Sequence, residues 1–150
     1  MSKRKMKLIC GISGVVIILL LIVGLLFIND IELWSYEARL KHHKLPEATE
    51  RIELQSTLGR LSGNGNGLQF LSTMLIRSDL SFEELEAFYG DTDYQVIPMT
   101  SADVKTKYLS NGCTITYDAL ADAEEFDGYY AVIFFRSGHT IFHELDARGH

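Results

Sequence analysis

The chain has 150 residues, with 20 acidic and 14 basic side chains and a formal net charge of −6 at pH 7. This acidic balance argues against nucleic acid as a partner, because nucleic-acid binding needs clustered Lys and Arg. Only one of the two cysteines, Cys113, lies beyond the N-terminal region, which excludes an intrachain disulfide in the rest of the chain.

Residues 8–28 form an uncharged stretch in which 16 of 21 residues are Leu, Ile, Val or Phe. A helix of this length, at ~1.5 Å per residue, is about 31 Å long and matches a hydrocarbon core of ~30 Å. The sequence therefore predicts a single transmembrane helix with the lipid bilayer as its partner. A cleaved signal peptide is the competing interpretation, but its apolar core would be only ~7–15 residues long and a small-x-small cleavage site would follow it.

The charges on either side of this segment predict its orientation. Four basic residues precede it, namely Lys3, Arg4, Lys5 and Lys7. All 20 acidic residues follow residue 28 together with 10 of the 14 basic ones, so the outer part carries a formal charge of −10. By the positive-inside rule, residues 1–7 are a cytoplasmic tail and the C-terminal domain lies outside the cell membrane.

Residues 29–48 are predicted to be a stalk or linker. Leu33, Tyr36 and Leu40 recur at helical spacing, so the helix of the apolar segment is expected to continue outward. Trp34 and Tyr36 follow the apolar segment by six and eight residues, which is expected to place them among the lipid headgroups, where amphipathic rings are favoured. Pro46 is expected to end the helix.

The adjacent pair His42 and His43 at the end of this linker can be interpreted as a metal-binding or pH-sensing element. Neighbouring residues point about 100° apart on a helix, so the two rings cannot chelate one ion together. We therefore expect solvated stalk residues.

The domain, residues 49–150, opens with two predicted strands. Residues 51–58 alternate between apolar and polar side chains, which predicts a strand with one buried face, and Gly59 suggests a bulge. Residues 68–77 are apolar on both faces, as is typical of a central strand. The glycine-rich connection between them favours a hairpin over a phosphate-binding loop, and its Asn64 and Asn66 are candidate ligand-binding residues.

A short helix is predicted after the second strand. Ser81 and Glu84 have the spacing of a capping box, and Leu85 and Tyr89 belong to the buried stripe. The acidic residues of its first turn are explained by the helix dipole without a catalytic role.

The remaining segments complete an α+β fold with a mainly antiparallel sheet and helices on one face. We predict a short strand over residues 94–97 that Pro98 ends, a hairpin around Ser110-Asn111-Gly112, and a central strand over residues 129–135. Residues 118–127 are predicted to be a small acidic helix or loop. Their five acids lack the order of a calcium loop, so a solvated face is expected in place of a calcium site. Residues 140–148 are predicted to form a last helix.

The C-terminus contains the best constellation for metal chemistry: His139, His143, Asp146 and His150. His139 and His143 are one helical turn apart, and imidazole with carboxylate suits zinc or another divalent transition metal. The alternative is that these are ordinary surface residues near a fraying chain end. Cys113 lacks a basic neighbour in sequence that would lower its pKa, so a nucleophilic role is not favoured.

Three stretches, SGNGNGLQF, LIRSDLSFEELEAFY and ELDARGH, resemble short, uncharacterised membrane-attached surface proteins of Gram-positive bacteria. The resemblance covers about residues 50–150. It implies a bacterial surface location and transfers no functional residue.

Two functions remain open. The first is a membrane-anchored, extracytoplasmic and non-catalytic binding module with a cell-envelope protein as its partner, using an exposed sheet edge or the turn with Asn64 and Asn66. The second is a metal sensor or metal-dependent enzyme that uses the C-terminal histidines. The small residues Cys10, Gly11 and Gly14 could let two helices approach closely, but without a full GxxxG they leave the oligomeric state open. No pattern in the sequence indicates any other cofactor.

Overall fold

The computed structural model of the protein describes residues 3–63, 67–138 and 146–149. Its elements follow in the order α1 (Lys3–His42), β1 (Thr49–Gly59), β2 (Gln69–Ser78), α2 (Phe82–Tyr89), β3 (Tyr94–Pro98), a 3-10 helix (Asp118–Leu120), β4 (Tyr129–Ser137) and a further 3-10 helix (Ala147–Gly149). The predicted α+β class with an antiparallel sheet is confirmed.

The four strands have the order β1-β2-β4-β3, so β2 and β4 are central. β1 and β2 form the predicted hairpin, with Leu58 opposite Phe70. Val132 of β4 lies opposite both Met74 of β2 and Val96 of β3. The apolar pattern on both faces of residues 68–77 and 129–135 thus identifies the central strands correctly, because both of their faces are covered.

The C-terminal part of α1 belongs to the core of the domain. Leu33, Tyr36 and Leu40 are all buried. The Tyr36 ring packs on Phe70 and Phe134, with centroids 5.5 and 4.8 Å apart. The predicted continuation of the helix is confirmed, and the segment treated as a linker supplies core residues.

Toward its N-terminus α1 carries exposed apolar side chains. Ile18, Leu20 and Phe27 are 58, 66 and 53% exposed. By the criteria of length and mean hydropathy, none of the helices in the described part of the chain qualifies as a membrane span.

α2 covers the same face of the sheet as α1. Its predicted capping box is confirmed: Ser81 N donates to Glu84 Oε2 at 2.8 Å, and Glu84 N donates to Ser81 Oγ at 3.3 Å. Leu85 and Tyr89 are buried as expected, and they pack with Leu40 of α1 in one cluster. α1 and α2 therefore share one face of the sheet, as predicted for the helices, whereas the 3-10 helix Asp118–Leu120 lies on the other face.

The opposite face is covered by the largely irregular residues 99–127. Tyr117 and Leu120 are fully buried there, against Leu71 and Ile133 among other residues. The Tyr117 hydroxyl is hydrogen-bonded to Thr73 Oγ1 at 2.6 Å, which anchors this segment to the centre of the sheet. Residues 118–127 are a 3-10 turn followed by loop, as predicted.

The predicted hairpin around Gly112 is wrong. Its turn exists, with Gly112 at a φ of 76°, but a single bridge between Asp103 and Thr116 is the only strand-like pairing of these flanks. The backbone N–H of Ser110 donates to Leu61 O at 3.0 Å instead. The turn is thereby held against the β1–β2 connection, and the ladder does not extend.

The predicted bulge at Gly59 is also misplaced. The register of β1 shifts between Arg51 and Glu53, where Ile52 is the extra residue and is 37% exposed. Arg51 lies on the helix-covered face and donates to His43 O at 3.5 Å. The side chain beside the bulge thus contacts the residue that follows α1.

Candidate functional site

Both ion pairs among the described residues meet at one point, where α1 contacts the C-terminal segment. The Arg148 guanidinium donates to both oxygens of Asp30, at 2.8 and 3.1 Å. It also donates through Nε and Nη2 to Asp146, at 2.8 and 2.7 Å. Asn29, 2% exposed, donates to Asp146 at 2.9 Å. We call Asn29, Asp30, Asp146 and Arg148 the junction cluster.

Arg148 sets the charge state of the junction cluster. Its hydrogen bonds hold the pKa of Asp146 well below the ordinary value; burial opposes this effect, and the bond from Asn29 reinforces it. The carboxylates of Asp146 and Asp30 in turn raise the pKa of Arg148. The ion pair of Asp146 and Arg148 therefore stays ionised over a wide pH range, which suits a structural clamp better than proton transfer.

Backbone contacts join the same C-terminal segment to the β1–β2 connection. Arg60 N donates to Arg148 O at 2.9 Å, and Gly67 N donates to Gly149 O at 3.1 Å. A Cβ atom on Gly149 would lie 3.3 Å from the backbone of Gly67 and Leu68, so this close approach favours glycine. α1, the hairpin and the C-terminal segment are thus held together as one unit.

Only Asp146 of the four predicted metal ligands is described. His139, His143 and His150 lie outside the described residues, as does most of the predicted helix over residues 140–148. Both oxygens of Asp146 accept hydrogen bonds from Arg148. Within residues 3–63, 67–138 and 146–149, no group of three or more His, Cys, Asp or Glu side chains could hold a metal ion. The metal hypothesis remains a prediction.

The candidate binding residues Asn64 and Asn66 also lie outside the described residues. The preceding Gly63 is described, and its carbonyl accepts a hydrogen bond from Asn111 Nδ2 at 2.9 Å. Gly63 N also donates to Ser110 Oγ at 3.4 Å. The turn before Gly112 therefore braces the base of this loop, a contact that no local pattern predicts.

A groove of about 300 Å³ opens beside the first residues of β3, at the edge of the sheet. On one wall Tyr108 stacks on Phe135, with ring centroids 4.1 Å and planes 9° apart. Lys107 Nζ lies 5.3 Å from the centre of the Tyr108 ring. Residues 92–95 form the other wall. We call this the edge groove. An aromatic surface with a cation beside a strand edge can hold an extended peptide.

The sequence contains no signal for the edge groove. Lys107 and Tyr108 lie in a segment that was predicted to be a strand, and Phe135 lies in a strand whose apolar pattern indicates only the core. The stacking joins two segments distant in the chain, so it becomes visible only in the folded structure.

Buried tyrosines account for the largest remaining pKa shifts. Burial raises the pKa of Tyr36 to about 12, and its hydrogen bond to the Glu32 carboxylate adds to the effect. Burial also raises the pKa of Tyr89 to about 12 and that of Tyr117 further. Each shift follows from packing in the core, so none of these hydroxyls is indicated as a general acid or base.

His43 differs from the expectation of a solvated residue. It is half-buried, and its ring lies 6.3, 5.4 and 4.9 Å from the ring centroids of Phe88, Tyr89 and Tyr94. His42 is exposed. The pair therefore separates into one packing residue and one surface residue, which agrees with the argument that the two rings cannot chelate together.

The junction cluster and the edge groove are two places where side chains from distant parts of the chain converge. The first joins α1 to the C-terminal segment, and the second lies beside a strand edge. Against known proteins, no family model, no curated protein and no solved structure matches this chain.

Proposed function

We propose that the protein is a membrane-anchored module whose α+β domain binds a cell-envelope protein on the outer side, without catalysing a reaction. The observation that carries the proposal is α1 itself. It is one uninterrupted helix with exposed apolar side chains in its N-terminal part and buried core residues in its C-terminal part.

The N-terminal part of α1 is suited to lipid. Leu20 and Leu21 are 66 and 63% exposed, and apolar surface left in water costs about 25 cal/mol per Å². Each of the 16 strongly apolar residues among residues 8–28 favours insertion by roughly 0.3–0.6 kcal/mol, or on the order of 5–10 kcal/mol together. A helix also satisfies its own backbone hydrogen bonds in the bilayer.

Charge supports an N-terminus in the cytoplasm. The four basic residues before the apolar segment favour the inner side.

The acid-rich segment of the domain lies away from the proposed membrane surface. Five acidic residues lie in residues 118–127, which lead to the sheet end where Arg77 pairs with Tyr129. α1 enters at the other end, near Phe70. The acid-rich segment is thus held away from an anionic membrane surface.

The edge groove supports a binding role. β3 is an edge strand, and the groove places Tyr108 and Lys107 beside it. The other edge strand, β1, is bulged between Arg51 and Glu53, a feature that discourages strand pairing. An extended segment of a partner would therefore pair with β3 and place side chains in the groove.

Photo-crosslinking from the full-length protein in its membranes tests the binding role. A photoreactive amino acid at Gln95 in β3 should give a discrete adduct, which Tyr108→Ala and Lys107→Glu should reduce. Lys44→Glu, an exposed substitution beyond α1, is the matched control and should leave the adduct unchanged. An adduct insensitive to both groove substitutions, or the absence of any adduct at Gln95, would count against the proposal.

Extraction of the same membranes with alkaline carbonate tests the anchor separately. A spanning helix keeps the protein in the membrane pellet, because its apolar side chains would otherwise enter water. Release of the full-length protein into the supernatant would contradict the anchor, whatever the crosslinking shows.

A further inference from the structure

The contacts of α1 fix the height of the domain relative to the end of the apolar segment. That segment ends at Ile28, and Asp30, two residues later, already bonds Arg148 at 2.8 Å. Leu33, five residues past Ile28, is buried in a cluster with sheet residues. At ~1.5 Å per residue these contacts lie about 3 and 8 Å beyond Ile28. The headgroup layer is roughly 5–8 Å thick on each side of the hydrocarbon core.

The side of α1 away from the sheet is apolar at the same height. Phe27, Ile31 and Trp34 are 53, 57 and 61% exposed and follow one another at helical spacing. They continue the side of the helix that carries Leu20 and Val23, which are 66 and 48% exposed. We call Phe27, Ile31 and Trp34 the lipid-facing stripe.

We propose that the domain is seated in the lipid headgroup layer, with the lipid-facing stripe and the C-terminal residues 146–149 at headgroup depth. This inference rests on the proposed membrane span, and it replaces a free stalk with direct seating. The occupant is lipid, because the stripe is continuous with the surface that the bilayer covers on Leu20 and Val23.

Two side chains fit this environment. The Cβ atom of Trp34 points toward the N-terminus of the helix, so its ring leans back toward the bilayer, and tryptophan prefers the membrane–water interface. The Arg148 side chain is 42% exposed at this depth, where its guanidinium can reach lipid phosphate as well as its carboxylate partners.

Trp34 is the only tryptophan in the chain, which makes it a direct probe of depth. The experiment places the full-length protein in phosphatidylcholine vesicles that contain lipids brominated either near the top or near the end of the acyl chains. Trp34 emission should fall strongly with the shallow quencher and less with the deep one. Two single-tryptophan variants in a Trp34→Phe background serve as controls: Ile18→Trp in the apolar segment and Phe88→Trp in α2.

The controls separate the possible failures. Phe88 contacts His43, about 22 Å beyond Ile28 along the helix, so Phe88→Trp should keep its emission with both quenchers. Ile18→Trp should lose emission mainly with the deep quencher; if it does not, the membrane span itself fails. If Ile18→Trp is quenched and Trp34 is not, the seating is overturned while the span stands. Aqueous iodide then shows whether Trp34 is in water or covered by a second copy of the chain.

Discussion

Replacing Arg148 by Ala should destabilise the domain through the junction cluster. The substitution removes four hydrogen bonds from the guanidinium to Asp30 and Asp146. It leaves the Asp146 carboxylate, whose side chain is only 9% exposed, with the amide of Asn29 and the backbone N–H of residue 148 as its partners. A shielded carboxylate that loses its cationic partner destabilises the folded state, because its desolvation is no longer offset by the ion pair.

The size of the effect follows from the exposure of the two partners. A hydrogen bond to a charged group contributes ~1.5–3 kcal/mol when it is shielded, whereas an exposed ion pair contributes ~0.2–1 kcal/mol. The Asp146 side chain is shielded, being only 9% exposed, whereas the Arg148 side chain is 42% exposed. We therefore expect a loss of about 1–3 kcal/mol in the free energy of unfolding. For a domain of this size that corresponds to a fall of roughly 4–12 °C in Tm.

The assay is thermal unfolding of the full-length protein in detergent micelles, followed by near-ultraviolet circular dichroism of the buried tyrosines. Arg60→Ala removes an exposed arginine from the same end of the sheet and is the matched control. Its Tm should stay within about 2 °C of the wild type, as surface substitutions usually do. Equal Tm values for Arg148→Ala and Arg60→Ala would refute the clamp.

The pH dependence of the same variant has a definite sign. Because the pKa of Asp146 is lower in the folded than in the unfolded state, its ion pair stabilises the fold above the unfolded value, ~3.9. That contribution is lost as the pH falls through the folded pKa. The Tm difference between Arg148→Ala and the wild type should therefore be largest near neutrality and shrink in acid. A difference that grows in acid would contradict the assignment.

Three other predictions concern the core, a helix cap and the metal hypothesis. Leu40→Ala should lower the free energy of unfolding by about 2–5 kcal/mol in chemical denaturation, because Leu40 is fully buried between α1 and the sheet; a loss below about 1 kcal/mol would contradict that packing. Ser81→Ala should cost about 1 kcal/mol in the same assay by removing the N-cap of α2, and a neutral result would contradict the capping box. The metal hypothesis predicts stoichiometric zinc-class metal after gentle purification, measured by elemental analysis and lost in the double variant His139→Ala, His143→Ala; unchanged metal content would end it.

Local patterns in the sequence predict much of this fold. The alternation of residues 51–58 predicts a strand, although the bulge leaves Ile52 37% exposed, and the apolar pattern of residues 129–135 predicts a central strand. The capping box at Ser81 predicts the start of α2 at the correct residue. In each case the physical cause lies within a few residues of the chain, so it can be recognised without the fold.

Contacts between distant segments explain what the sequence did not predict. Asn29 and Asp146 are 117 residues apart, and no local pattern indicates that they meet. The turn at Gly112 has the correct chemistry for a hairpin, yet the backbone of Ser110 is bonded to Leu61 instead. His43 is likewise packed by rings from α2 and β3.

The proposed orientation across the membrane has one direct test, thiol labelling of intact cells with a membrane-impermeant maleimide. In a background without Cys10 and Cys113, a cysteine at the exposed position Glu86 should be labelled from outside, whereas a cysteine at Ser2 should be labelled only after permeabilisation. Labelling of the Ser2 position in intact cells, or of the Glu86 position only after permeabilisation, would contradict a domain held on the outer side.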